Sequence, residues 1–217
     1  MKPIYKPKGA AKEYGDYAIN IYTGCPHRCY YCFAPNVLRK DREEFHNKVE
    51  PRKDIVEEVK KQLDREKITD KLIHLCFTCD PYPKGYDSTP TREIIKAIKD
   101  SGNHVQILTK NAIGADRDLD LLDGGDWFGI TLTGASREQE PNTNPYNQFF
   151  VIQVARNMGI KTWASFEPVI NTELVMFYIE HYPVLFDKVK IGKLNYHPST
   201  IDWKDFGNRV EQLCKSK

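Results

Sequence analysis

No run in this chain approaches the roughly 18 consecutive apolar residues that a membrane helix requires, so nothing in it reads as a span. The start, Met1-Lys-Pro-Ile-Tyr-Lys-Pro-Lys8, is basic but lacks the apolar core of a secretory leader, and a cytoplasmic location is expected. Charge of one sign is also missing: 32 basic and 30 acidic residues leave a net +2. The signs are interleaved, as in Lys40-Asp-Arg-Glu-Glu44 and Asp64-Arg-Glu-Lys67. Such runs read as solvated helix faces, not as the one-sided basic surface of a duplex-DNA binder. A small substrate is expected in place of a polymer. There is no internal repeat, low-complexity tract or linker, so a single domain over residues 1–217 is expected.

Cysteine is sparse except in one place. Three of the six fall within eight residues, Cys25-Pro-His-Arg-Cys29-Tyr-Tyr-Cys32. They cannot all pair with one another, and a reducing compartment does not favour disulfides. Four cysteines hold the clusters of ferredoxin-type carriers. Here no fourth cysteine lies nearby, so three thiolates would hold three irons of a [4Fe–4S] cluster and leave one open. An open iron binds a cofactor or substrate directly, and that makes a catalyst of an electron carrier. The bland alternative is structural zinc on the three cysteines and His27, which takes a Cys3His tetrahedron. The usual split of zinc ligands into two separated pairs is absent. That alternative would make the chain a metal-stabilised interaction domain and not an enzyme.

Strand and helix signals alternate along the rest of the chain. Short apolar runs predict strands over 18–22, 72–78, 104–109, 127–133, 161–166 and 186–192. Helical periodicity predicts helices over 54–66, 91–101, 116–122, 147–158, 173–181 and 205–214. Six βα units with right-handed crossovers argue for a mainly parallel sheet curled into a partial barrel. Chemistry in α/β barrels sits at the C-terminal ends of the strands. The cysteine loop follows the first strand and so falls at that end. Strand alternation puts Cys76 on the face opposite Phe77 and Cys79 on the same face. Cys76 and Cys214 read as buried apolar thiols.

The cysteine loop behind a first strand, with aromatic Tyr31 before the last cysteine, resembles the C-x3-C-x-Φ-C motif of radical S-adenosylmethionine (radical SAM) enzymes. Four further segments resemble the branch containing spore photoproduct lyase: Asn20-Ile-Tyr-Thr-Gly-Cys25, Thr78-Cys-Asp-Pro-Tyr82, Thr109-Lys-Asn111 and Asp116-Arg-Asp-Leu-Asp-Leu-Leu122. Together they span about the first 135 residues. The resemblance implies a (β/α)6 three-quarter barrel of the TIM type. It also implies a [4Fe–4S] cluster on Cys25, Cys29 and Cys32, with S-adenosylmethionine chelated at the open iron. One electron then cleaves that cofactor to methionine and a 5′-deoxyadenosyl radical. The electron comes from a donor such as flavodoxin or ferredoxin. Carried over residue by residue, Lys110 pairs with the cofactor carboxylate, Thr78 and Asp80 meet its amino group or ribose, and Tyr31 packs beside the adenine.

One departure bears on substrate. The hydrogen-donating cysteine of the photoproduct lyases maps to Phe77, which weakens a reading as thymine-dimer repair. Little chain follows the sixth unit to grip DNA. Glu167 and Asn195, at the ends of strands five and six, offer a carboxylate and an amide suited to a guanine-type base. Size, branch and these strand ends are most similar to the queuine lyase group, which breaks a C–N bond in a modified 7-deazaguanine for salvage. DNA repair or nucleic-acid modification is the enzyme alternative.

Overall fold

A computed structural model describes residues 2–216. Seven strands form one sheet in chain order: β1 (Ile4–Tyr5), β2 (Tyr17–Ile19), β3 (Leu72–Leu75), β4 (His104–Thr109), β5 (Trp127–Thr131), β6 (Lys161–Phe166) and β7 (Lys188–Ile191). Strands β2 to β7 are parallel and match the six predicted strands; β1 adds an antiparallel edge on β2. The sheet does not close, so this is a partial barrel of six βα units. The helices are α1 (Ala34–Leu38), α2 (Arg42–Asn47), α3 (Ile55–Glu66), α4 (Thr89–Asp100), α5 (Ala112–Ala115), α6 (Pro145–Asn157), α7 (Thr172–His181) and α8 (Trp203–Lys215). Among the described residues no helix is long and apolar enough to cross a membrane.

The local sequence accounts for these elements. In α3, Ile55, Val59 and Leu63 recur at helical spacing and are buried; Ile94, Ile95 and Ile98 do the same in α4. Side-chain oxygens of Asn144, Asn171 and Asp202 cap the first turns of α6, α7 and α8. The segment predicted as a helix over 116–122 is a 3-10 turn, Asp116–Leu121, that follows directly on α5.

Alternation along the strands sorts the side chains into two layers. Ile73, Leu75, Val105, Ile107, Phe128, Ile130, Ala164 and Phe166 belong to the main apolar core. His74, Gln106, Trp163 and Lys188 belong to the other set: His74 is in register with Gln106, and Trp163 with Lys188. That interior is polar and aromatic, and the N-terminal 3-10 turn Gly9–Tyr14 fills it. The Tyr14 ring packs 5.0 Å from His74, 5.3 Å from Phe77 and 5.9 Å from Trp163, centroid to centroid. Its carbonyl accepts from Gln106 Nε2, and Glu13 reaches Lys190 of β7 at 3.2 Å. The N-terminal segment thus ties the two sides of the open barrel together.

Candidate active site

The cysteine loop leaves β2 and turns back over the strand ends. Arg28 adopts a left-handed conformation, φ 55°, that returns the chain between Cys25 and Cys29. Gly24 is required by close approach: a Cβ there would lie 2.3 Å from the Phe45 carbonyl oxygen and 2.6 Å from that of Lys48. The loop is held from one side by α2 and from the other by the segment after β5. Tyr30 N–H donates to the Gln139 carbonyl at 3.2 Å, and Asn142 Nδ2 donates to that of Pro26 at 2.9 Å.

Cys25, Cys29 and Cys32 all line one cavity of about 510 Å³, whose wall also includes His27, Tyr31, Thr78, Asp80, Lys110, Glu167 and Asn195. Every sequence-derived candidate therefore comes to the same space. The three sulfurs do not draw within 4.8 Å of one another, as the ligands of a single tetrahedral ion would; among the described residues only His104, Asp123 and Asp126 do so. Lys99 already bonds to both of those aspartates. Burial pushes all three loop thiols up, Cys29 to about 12 against the pull of Lys110. Loading a metal group must therefore displace protons, and rising pH favours it.

Asp80 fixes the lysine. Its carboxylate accepts from Tyr82 N–H (2.8 Å), Thr109 Oγ1 (2.6 Å) and Lys110 N–H (2.8 Å). His27 Nε2 lies 3.4 Å away, and burial lowers the His27 pKa. Asp80 so joins the ends of β3 and β4 and sets where Lys110 begins. Lys110 Nζ points over the Tyr31 ring, 5.4 Å from its centroid, and stands 3.2 Å from Glu140 Oε1 without the alignment of a hydrogen bond. Burial lowers the lysine pKa and raises that of Glu140 to about 8. Desolvation thus works against a fully charged pair.

In the same cavity wall, Glu167 Oε2 accepts from the Tyr14 hydroxyl and from Ser165 Oγ. Asn195 sits exposed at the rim. Sequence reasoning missed Tyr14 and Glu140, which reach the site from segments outside any recognised motif. Cys76 is buried as expected, but not on the face opposite Phe77. The third strand stops at Leu75, so alternation does not govern the residues beyond it: Cys76, Phe77, Thr78 and Cys79 all line the cavity. The Asn20 side chain accepts from Phe77 N–H and Thr78 N–H, both at 2.9 Å, and so holds that stretch in a turn. Cys214 is exposed, not buried, on the last helix.

Residues 19–174 match the Radical SAM superfamily. The chain belongs to that superfamily. Radical SAM enzymes use a [4Fe–4S] cluster and S-adenosylmethionine, and the cavity fits both. Lys110 Nζ, Thr78 Oγ1, Tyr31 Oη and both His27 ring nitrogens are buried without a hydrogen-bond partner, as expected of groups that meet an ionic cofactor. The fold is also that of a spore photoproduct lyase complexed with dinucleoside spore photoproduct: TM-score 0.64, 16% identity, 100% of this chain and 65% of that one. HydG, a maturase of the [FeFe]-hydrogenase, aligns with TM-score 0.56 and 15% identity over 91% of this chain and 48% of its own. An uncharacterized protein, ORF301 of Acidianus two-tailed virus, is 25% identical over 195 residues, 77% of this chain and 63% of that protein. The chain thus spans less than two thirds of the length of each of these relatives.

Proposed function

We propose that this radical SAM enzyme breaks a C–N bond in a small modified nucleobase of the 7-deazaguanine type, as a queuine lyase does. The observation that carries the reading is that the three loop thiols, Glu167 and Asn195 line one and the same cavity. In this reading Cys25, Cys29 and Cys32 hold the cluster and leave one iron for the cofactor. When bound, the cluster and S-adenosylmethionine supply one electron and a deoxyadenosyl radical that removes a hydrogen atom from the substrate. Lys110 receives the cofactor carboxylate, Thr78 its amino group or ribose, and the Tyr31 ring flanks the adenine. Asp80 keeps Lys110 aimed through the backbone. A donor such as flavodoxin or ferredoxin provides the electron.

Glu167 orients the base. Two hydroxyls occupy Oε2, and Oε1 is left to accept from the N–H edge of a guanine-type ring, with the Asn195 amide at the rim. Glu167→Gln replaces an acceptor oxygen by a donor. It is expected to weaken substrate binding by about 1–3 kcal/mol while cofactor cleavage without substrate persists. The check is calorimetric titration of queuine into the cofactor-loaded enzyme; equal affinity in both proteins removes Glu167 from the contact. Failure of queuine to bind the wild type, or to raise deoxyadenosine release, overturns the queuine reading.

Lys110→Ala is expected to weaken S-adenosylmethionine binding by about 1.5–3 kcal/mol, the range for a charge-assisted hydrogen bond, without loss of iron. Equilibrium dialysis of the reconstituted variant measures it, and unchanged affinity makes Lys110 a structural residue. Nucleic-acid repair is the second reading, favoured by the fold likeness to a photoproduct lyase. DNA affinity that falls steeply with salt would support it over the small-molecule reading.

A further inference from the structure

Short helix α2 does more than connect. Arg42 Nη2 donates to the carbonyl oxygens of Cys29 and Tyr30, both at 2.6 Å, and Nη1 donates to that of Cys32 at 3.1 Å. One turn later, His46 Nδ1 lies 2.7 Å from the Cys25 carbonyl oxygen. A carbonyl only accepts, so Nδ1 carries the proton. Residues four apart on a helix share a face. Two side chains on that face therefore hold the backbone carbonyls of all three loop cysteines. The helix is fixed in turn: Asp41 caps it through Glu44 N–H, Phe45 and His46 are buried, and the Phe45 carbonyl accepts from Cys25 N–H at 3.2 Å.

We propose that Arg42 and His46 are positioning residues for the cluster, forming a clamp that presets the loop and places one fixed positive charge beside the metal group. The proposal rests on the three cysteines holding the cluster. A planar guanidinium forks to several acceptors at once, whereas an ammonium is a point charge. Its charge lies on the carbonyl side of the loop and favours addition of an electron to the cluster. Arg42 thus has two separable effects, on the order of the loop and on the reduction potential.

The experiment compares wild type, Arg42→Gln and Arg42→Lys, first without metal and then after anaerobic reconstitution with iron and sulfide. In the metal-free proteins, iodoacetamide labelling followed by mass spectrometry reads the loop. Arg42→Gln is expected to label several-fold faster at Cys25, Cys29 and Cys32, while buried Cys76 and Cys79 stay protected and show that the fold persists. In the reconstituted proteins, redox titration monitored by electron paramagnetic resonance reads the potential. The Gln variant is expected at a more negative midpoint, and the Lys variant, which keeps the charge but not the fork, is expected back toward the wild type. Loop labelling at the wild-type rate in metal-free Arg42→Gln overturns the clamp, and so does an unchanged midpoint in Arg42→Gln with full iron. Loading that fails to shield the three cysteines in the wild type overturns the cluster assignment instead, and the two failures are told apart.

Discussion

Alanine at Cys25, Cys29 or Cys32 is expected to abolish reductive cleavage of S-adenosylmethionine. Three thiols for a four-iron cluster leave no spare ligand: losing one gives a second iron without a protein donor, and the cofactor no longer has a single defined point of attachment. Nearby substitutes are lacking. Cys76 and Cys79 line the same cavity, but they sit beyond β3 on a turn fixed by Asn20, and the Cys79 sulfur accepts from Tyr22 N–H at 3.4 Å. The fold should survive, because the three side chains face the cavity and contribute little to the strand–helix core. The test pairs iron analysis and deoxyadenosine release with far-ultraviolet circular dichroism. Wild-type cleavage by any one of the three variants would remove that cysteine from the ligand set.

Trp163→Ala is expected to cost about 3–5 kcal/mol of folding stability, the range for deleting a fully buried large aromatic. Trp163 is 0% exposed in the middle of β6. Its indole Nε1–H donates to the Ile107 carbonyl at 3.1 Å, and its ring lies so close to Gly129 that a Cβ there would stand 2.1 Å from Nε1. Lys188 Nζ sits 4.9 Å from the ring centroid, and Tyr14 meets the ring edge-on. Alanine opens a cavity in the barrel interior and removes the indole hydrogen bond to the Ile107 carbonyl. It also removes the surface that seats the N-terminal turn under Glu167, so substrate binding should weaken together with stability. Urea unfolding measures the first effect. A loss below about 1 kcal/mol would mean that the interior collapses around the gap, contrary to the tight packing described.

Much of this architecture was legible because its signals are local. Each parallel strand carries a short apolar run and each long helix a periodic face, so six units could be placed from the sequence to within a few residues. The cysteine spacing is local too. What escaped depends on distant partners. Arg42 sits in a charge run that reads as solvated, yet it turns inward to three carbonyls that only the folded loop presents. Tyr14 belongs to a segment without periodicity, and nothing local says that a phenol there reaches Glu167, 153 residues away. Glu140 meets Lys110 only once β4 and β5 lie side by side. Ala18-Ile-Asn-Ile-Tyr22 reads as one strand, but Asn20 leaves the ladder to bond the turn after β3. The short edge strand β1 had no pattern long enough to detect.

The central claim is that Cys25, Cys29 and Cys32 hold a [4Fe–4S] cluster with one iron open to S-adenosylmethionine in this cavity. The most direct measurement is electron paramagnetic resonance of the anaerobically reconstituted, reduced wild type, recorded with and without S-adenosylmethionine and paired with iron and sulfide analysis. The account predicts a full [4Fe–4S] complement per chain and a spectrum that changes when the cofactor is added. A fully loaded cluster whose spectrum is indifferent to the cofactor, or a chain that retains zinc and takes up no iron, would contradict it.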